Sequence, residues 1–193
     1  MPEGPLRVVL AVKDPAQRRE LRAMLERLGY GVAGEAADGF DALEQCRAQE
    51  PDAALLDESL PLLDGLAAAD ALREECPGAA VVLLTASGGR EQALRAAQRG
   101  VAGMLVGPAR EASLAPCLEL ATAHARELRR LRRELERMSE RLESRSLVEK
   151  AKGRMMESCG MSEQEAYDFL RKLSQTKKLS MRRVAEILLH AGR

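Results

Sequence analysis

Apolar residues in the first 110 positions fall into short continuous runs, separated by segments whose apolar residues recur at helical spacing. The five runs lie near residues 6–12, 31–36, 53–56, 79–84 and 102–106, and the only charged residues within them are Arg7 and Glu35. Between the first two, Leu21, Met24, Leu25 and Leu28 lie three or four residues apart, as on one buried face of a helix. Strands that alternate with helices favour a parallel sheet with helices on both faces. The pattern therefore predicts an α/β fold with a five-stranded parallel sheet.

A heptad pattern follows, from about Leu114 to Arg145. Two series of positions recur every seven residues, and between Leu128 and Leu142 both are fully apolar, with mostly Arg and Glu elsewhere. This pattern is typical of a coiled-coil helix exposed to solvent. It predicts a homodimer through the coiled coil. The alternative is a single helix that folds back on its own first domain.

The heptad fails at Ser146, and the remaining residues predict three short helices. Gly160 ends the first of them, Ser162 and Glu165 form a capping box for the second, and Ser180 caps the third. Gly153 interrupts the first helix, which suggests that another helix approaches it closely. The predicted organisation is an α/β domain at 1–116, a coiled-coil linker helix at 117–145 and a helical domain at 146–193.

The net charge of the chain is zero, but charge is unevenly distributed. Residues 1–116 contain 12 basic and 18 acidic residues, whereas residues 146–193 contain 10 basic and 6 acidic ones. A basic tail suggests a polyanionic partner or simply a solubilising surface.

The two Phe, two Tyr and absent Trp argue against a large aromatic stacking surface. The four cysteines are widely spaced and lie far in sequence from the two histidines, so neither a metal site nor a disulfide framework is expected. No apolar run is long enough to cross a membrane, and we expect a cytoplasmic protein.

Polar residues follow several predicted strands at the edge where functional groups gather in parallel sheets. Lys13 and Asp14 follow the first strand, Asp57 ends the third, Thr85 ends the fourth and Gly107 follows the fifth. We therefore expect Lys13, Asp14, Asp57 and Thr85 to surround one pocket.

This order and spacing resemble the receiver domain of two-component response regulators over about residues 6–120. Asp57 matches the phospho-accepting aspartate, Leu60-Pro61 and Asp64-Gly65 match the loop after it, and Thr85-Ala86 match the switch hydroxyl and its small neighbour. The resemblance implies a flavodoxin-like (βα)5 fold. It also implies a sensor kinase or a regulatory protein as a partner.

Four positions depart from that family. Where receivers place an acidic pair that holds Mg²⁺, this chain has Val12 and Lys13, and Gly107 replaces the family's lysine. Met104 stands at the aromatic switch position. Mg²⁺ requires oxygen ligands, and phosphoryl transfer depends on charge neutralisation, so no cofactor is expected and Mg²⁺ binding is doubtful. These departures predict a pseudo-receiver in which Asp57 is inactive or only weakly phosphorylated. Lys13 is then a candidate to form an ion pair with Asp57.

The tail resembles the ANTAR domain, an RNA-binding antiterminator module, over about residues 144–190. The matching residues are Leu147-Val148-Glu149-Lys150-Ala151-Lys152-Gly153, Met156, Gly160-Met161-Ser162-Glu163, Glu165-Ala166-Tyr167 and Val184-Ala185-Glu186. The resemblance implies a dimer that binds paired RNA hairpins and prevents a terminator from forming.

Basic residues of the tail are candidates to contact RNA phosphates. Tyr167 is a candidate to stack on an unpaired base, although a tyrosine on a small bundle is more commonly half-buried in the core. The full set of RNA-binding candidates is Lys150, Lys152, Arg154, Tyr167, Arg171, Lys172, Lys177, Lys178, Arg182 and Arg183.

Two other function classes compete with an RNA-binding antiterminator. One is a DNA-binding response regulator, although the tail lacks a helix-turn-helix pattern. The other is a signalling adaptor that binds no nucleic acid. No nucleophile–base pair, metal set or glycine-rich phosphate loop is present, so an enzyme is not expected.

Overall fold

The computed structural model describes residues 4–190 and contains a five-stranded parallel sheet in the order β2-β1-β3-β4-β5. Strands and helices alternate up to β5, and three helices follow. The elements are β1 Arg7–Ala11, α1 Pro15–Arg27, β2 Gly31–Ala36, α2 Gly39–Gln49, β3 Ala53–Asp57, α3 Gly65–Glu75, β4 Ala80–Thr85, α4 Arg90–Gln98, β5 Val101–Val106, α5 Glu111–Cys159, α6 Glu163–Lys177 and α7 Met181–His190. The predicted fold class is confirmed.

Each face of the sheet is covered by its own apolar cluster. Val8, Leu10 and Leu55 point to one face, where they pack with residues of α1 and of the start of α5, including Leu25 and Leu118. On the other face, alternate strand residues pack against α2 and α3. The central strands are buried on both faces, which explains their continuous apolar sequences.

Aspartate side chains cap the first two helices. Asp14 accepts hydrogen bonds from the backbone of Ala16 and Gln17, both at 3.2 Å, and Pro15 occupies the first helical position. Asp38 caps α2 in the same way. These short-range signals fix where the helices begin because they satisfy backbone N–H groups that lack a helical partner.

The long helix extends beyond the predicted end. α5 runs without interruption from Glu111 to Cys159, so the first helix predicted for the tail is the last part of α5. The backbone stays helical through Ser146. The change in apolar pattern there therefore marks a change in the surface against which the helix packs. Gly160, with φ of 66°, ends the helix.

The chain divides into two compact units, one up to Arg130 and one from Leu131. The second unit has its own core, in which Ala151 and Met155 of α5 pack with Leu170 of α6 and with Val184 of α7. The domain boundaries predicted at 116 and 145 stay predictions. Among residues 4–190, no helix combines the length and the apolarity needed to cross a membrane.

Candidate functional site

A cavity of about 470 Å³ lies at the carboxyl edge of the sheet. Asp57 and Thr85 line it from the ends of β3 and β4, Lys13 from the loop after β1 and Gly107 from the loop after β5. Because the strands are parallel, residues far apart in sequence meet at this edge. Asp14 is not among the lining residues, since its carboxylate is used as the cap of α1.

Asp57 is held by its nearest neighbours in sequence. One carboxylate oxygen accepts hydrogen bonds from the backbone N–H of Ser59, at 2.9 Å, and from the Ser59 hydroxyl, at 2.8 Å. The candidate ion pair between Lys13 and Asp57 is not formed in this structure: among the ion pairs of the described residues, none joins Lys13 to Asp57. Lys13 is exposed and borders the cavity without neutralising the aspartate.

Thr85 is buried and bonded to a carboxylate other than Asp57. Its hydroxyl lies within hydrogen-bonding distance of Glu58 Oε2 and of the Ser87 carbonyl. A hydroxyl has one proton, so it donates to one of these acceptors at a time. The Gln92 amide, on α4, donates to both oxygens of Glu58, at 2.8 and 2.9 Å, and lies 3.1 Å from the Thr85 hydroxyl.

Glu58 and Gln92 were missed by the sequence reasoning. Glu58 directly follows Asp57, and a carboxylate at the end of a strand is a usable signal for a pocket residue. Gln92 carried no comparable signal, because its role depends on how α4 lies against the sheet. Together they tie the Thr85 hydroxyl to α4 and leave it without a bond to Asp57 in this part of the chain.

The residues present do not fit a bound Mg²⁺. Val12 is fully buried in the apolar cluster, and its carbonyl accepts a hydrogen bond from Arg18 at 2.6 Å. Lys13 adds a positive charge, and both Glu58 oxygens are already hydrogen-bonded. An octahedral ion needs several oxygen ligands from protein and water, and among the carboxylate oxygens of the described residues that line this cavity, only the second one of Asp57 has no hydrogen bond.

In the second unit, Lys152 does not have the exposed ammonium group that was expected of an RNA-binding residue. The side chain is buried, and its ammonium group lies 2.7 Å from Glu163 and 3.0 Å from Glu149. Hydrogen bonds to Glu163 and then to Glu149 raise the pKa of Lys152. Its charge is therefore committed to joining α5 to the start of α6. A direct phosphate contact would require these bonds to break, so we treat Lys152 as a structural residue.

Three of the other RNA-binding candidates contact neighbouring groups of the protein. Arg154 donates to the Leu189 carbonyl at 2.7 Å, and Arg182 and Arg183 contact Glu186 at 3.0 and 3.1 Å. Tyr167 is 41% exposed and is not among the residues of the apolar core of the second unit. The remaining candidates have exposed side chains: Lys150, Arg171, Lys172, Lys177 and Lys178.

Gly153 does not have the close helix neighbour that its position suggested. Within residues 4–190, a Cβ atom at Gly153 would meet nothing within 4 Å beyond its own stretch of helix. We therefore predict that Gly153→Ala stabilises the second unit by up to about 1 kcal/mol, the helix-propensity difference between the two residues. Urea or thermal unfolding measures this.

Gly160 offers a matched control for that substitution. It also has open space around it, but its φ is 66°, a conformation that alanine adopts only with strain. Gly160→Ala should therefore destabilise the same unit by about 1 kcal/mol. Destabilisation by Gly153→Ala would show that an unseen neighbour occupies the space beside α5.

Two models of known protein families match separate parts of the chain. The family model of the response regulator receiver domain matches residues 8–119, and the model of the ANTAR domain matches residues 136–189. The transcriptional regulatory protein PdtaR of Mycobacterium tuberculosis is 37% identical over 185 residues, which cover 96% of this chain and 90% of PdtaR.

Solved structures resemble the first unit. A two-component response regulator of the LuxR family from Aurantimonas has 30% identity and a TM-score of 0.59, covering 63% of this chain and 87% of its own. The receiver domain of a sensor histidine kinase from Pseudomonas aeruginosa also has 30% identity, with a TM-score of 0.56, and covers 62% of this chain and 99% of its own. That structure has a magnesium ion coordinated in its active site cleft.

Proposed function

The chain belongs to the response regulators that carry an N-terminal receiver domain and a C-terminal ANTAR domain, and on that premise we propose that it binds hairpin RNA as a dimer and prevents transcription termination. The observation that carries the proposal is the match of the ANTAR model to residues 136–189. That segment includes a separately packed helical core surrounded by exposed cations. The protein would act in the cytoplasm, where nascent RNA is made.

Dimerisation is supported by an apolar stripe on α5 that no residue among 4–190 covers. We call the residues of this stripe the seam. Its five residues are between 44% and 69% exposed: Leu128, Leu131, Leu135, Met138 and Leu142. Large apolar side chains at heptad spacing are costly in water, and a second copy of the same helix covers them with a self-complementary surface.

We also propose that the receiver works without phosphorylation, or with weak phosphorylation only. Support comes from Val12 and Lys13 at the positions of the metal-holding pair, and from Gly107 at the position of the lysine. The input would then be a regulatory protein, or a sensor kinase, that recognises the receiver surface. The dimer would set the spacing of two RNA-binding tails whatever the state of Asp57.

Binding of nucleic acids tests the central proposal. We expect the full-length protein to bind hairpin RNA in preference to duplex DNA of equal length. The affinity should fall steeply with salt, because each phosphate neutralised by a cation releases counterions. Filter binding or fluorescence anisotropy at several salt concentrations measures this. A preference for duplex DNA would favour a DNA-binding response regulator, and failure to bind either at low salt would favour a signalling adaptor.

A further inference from the structure

A groove of about 660 Å³ crosses the second unit, between residues 137–149 of α5 and residues of α6 and α7. Its lining contains four arginines and two glutamates, together with one aromatic residue, Tyr167. The arginines are Arg137, Arg141 and Arg145 on α5 and Arg182 on α7. Three of these four lie in the segment that the sequence suggested was only a linker.

The three α5 arginines carry unused positive charge. They are spaced four residues apart, which places them about 6 Å apart along the helix axis. Within residues 4–190, each is exposed and takes part in no ion pair or side-chain hydrogen bond. By contrast, Arg182 is paired with Glu186 at 3.0 Å, and Glu149 is paired with Lys152 at 3.0 Å. The excess charge of the groove therefore belongs to α5.

Tyr167 adds an aromatic surface to this charged wall. Its side chain is 41% exposed, and no hydrogen bond of its hydroxyl is present within the described residues. A half-exposed ring beside unpaired guanidinium groups suits a ligand that has both an aromatic face and negative charge. An unpaired nucleotide has both, and base–aromatic stacking tolerates any base because every base has a π-face.

We propose that this groove takes unpaired nucleotides of an RNA loop, with a base against Tyr167 and the flanking phosphates on Arg137, Arg141 and Arg145. The inference rests on the proposed RNA-binding function and adds to it a defined site. It assigns half of that site to the helix that also bears the seam. Arg171, Lys172 and Lys177 are exposed on α6 outside the groove, and they would contact the stem of the hairpin.

Tyrosine fluorescence gives a direct test, because the chain has two tyrosines and no tryptophan. Tyr30 is buried in the first unit, so a Tyr30→Phe background leaves Tyr167 as the sole tyrosine emitter. We expect a pool of RNA hairpins with randomised loops to quench this emission on binding. An RNA duplex of the same length without a loop should bind weakly through its phosphates and quench little.

Matched variants separate stacking and charge from folding. Tyr167→Leu should weaken hairpin binding about tenfold or more, whereas Tyr167→Phe keeps the stacking surface and should bind normally. Arg141→Gln should weaken binding and reduce the salt dependence by about one counterion. Arg133→Gln changes the charge equally at an exposed arginine outside the groove and should have a smaller effect.

Each contrary result has a distinct meaning. Hairpin binding without quenching, unaffected by Tyr167→Leu, would overturn the groove and leave the RNA-binding function standing. Absence of binding to any RNA would overturn both. Equal quenching by poly-L-glutamate at the same charge concentration would show that the groove recognises acidic protein segments, and would overturn the assignment to RNA.

Discussion

Replacing Leu135 with glutamate is expected to convert the protein from a dimer to a monomer and to weaken hairpin RNA binding by about 100-fold. Leu135 is 67% exposed in the single chain and lies in the middle of the seam. Covering a leucine contributes about 1.5–3 kcal/mol, and in a symmetric pair Leu135→Glu loses this twice and places two carboxylates together. Sedimentation velocity and hairpin titration measure the two effects.

The loss of RNA affinity follows from the loss of dimerisation. When two linked tails bind two hairpins, the second binding event is intramolecular and benefits from a high effective concentration. A monomer keeps the affinity of one tail and loses that benefit. The fold of each tail should be unaffected, since Leu135 is absent from the buried core of the second unit.

Leu120→Glu is the matched control. Leu120 lies on the same helix, is 62% exposed and is outside the seam. It should leave both the dimer and RNA binding intact. A wild-type protein that sediments as a monomer, or a Leu135→Glu variant that remains dimeric, would contradict the coiled-coil proposal and favour another dimer surface or none.

The fold was predictable because its signals are local and repeated. A short apolar run such as Val81–Leu84, which follows the Pro77–Gly78 turn, favours a buried strand, and caps such as Asp14 and Ser162 fix helix starts through bonds to nearby backbone. The predicted end of the long helix at Arg145 was wrong for a physical reason. A change in apolar pattern changes the partner surface of a helix without breaking it, and Gly153 alone did not stop α5.

The site was only partly predictable. Asp57 and Thr85 were expected to meet because the ends of adjacent parallel strands must lie together. The bond from Thr85 to Glu58 and the burial of Lys152 depend on side-chain rotamers and on the placement of other helices, which periodicity does not encode. The arginine groove was hidden for a similar reason, since the α5 arginines meet Tyr167 and Arg182 only once α6 and α7 pack against α5.

The second large effect is expected at the receiver site, in the rate at which Asp57 is phosphorylated. With acetyl phosphate and Mg²⁺, Asp57 of the wild-type protein should acquire little phosphate, whereas a combined Val12→Glu, Lys13→Asp and Gly107→Lys variant should gain Mg²⁺-dependent phosphate at least about 100-fold faster. The gain arises because single charge-stabilising groups typically contribute 10²–10³ in rate to such reactions. Intact-mass spectrometry measures the fraction phosphorylated.

The three substitutions have a structural cost that the design must accommodate. Val12 is fully buried, so Val12→Glu places a carboxylate in an apolar cluster unless a metal ion binds it. Gly107 has φ of 75°, so Gly107→Lys adds about 1–2 kcal/mol of backbone strain. A Lys13→Asp, Gly107→Lys variant that keeps Val12 should stay more stable and gain less phosphate. A cooperative thermal unfolding transition would show that both variants are folded.

Adding Asp57→Asn to the triple variant provides the control, because it removes the acceptor while keeping the restored charges. It should abolish all modification, which would locate the phosphate at Asp57. Stoichiometric Mg²⁺-dependent phosphorylation of the wild-type protein would contradict the pseudo-receiver proposal. Lys13 would then have to move away from the pocket, and Asp57 with Glu58 would have to supply the metal ligands, which requires Glu58 to release Thr85 and Gln92. Such a release would connect phosphorylation to α4, because Gln92 belongs to that helix.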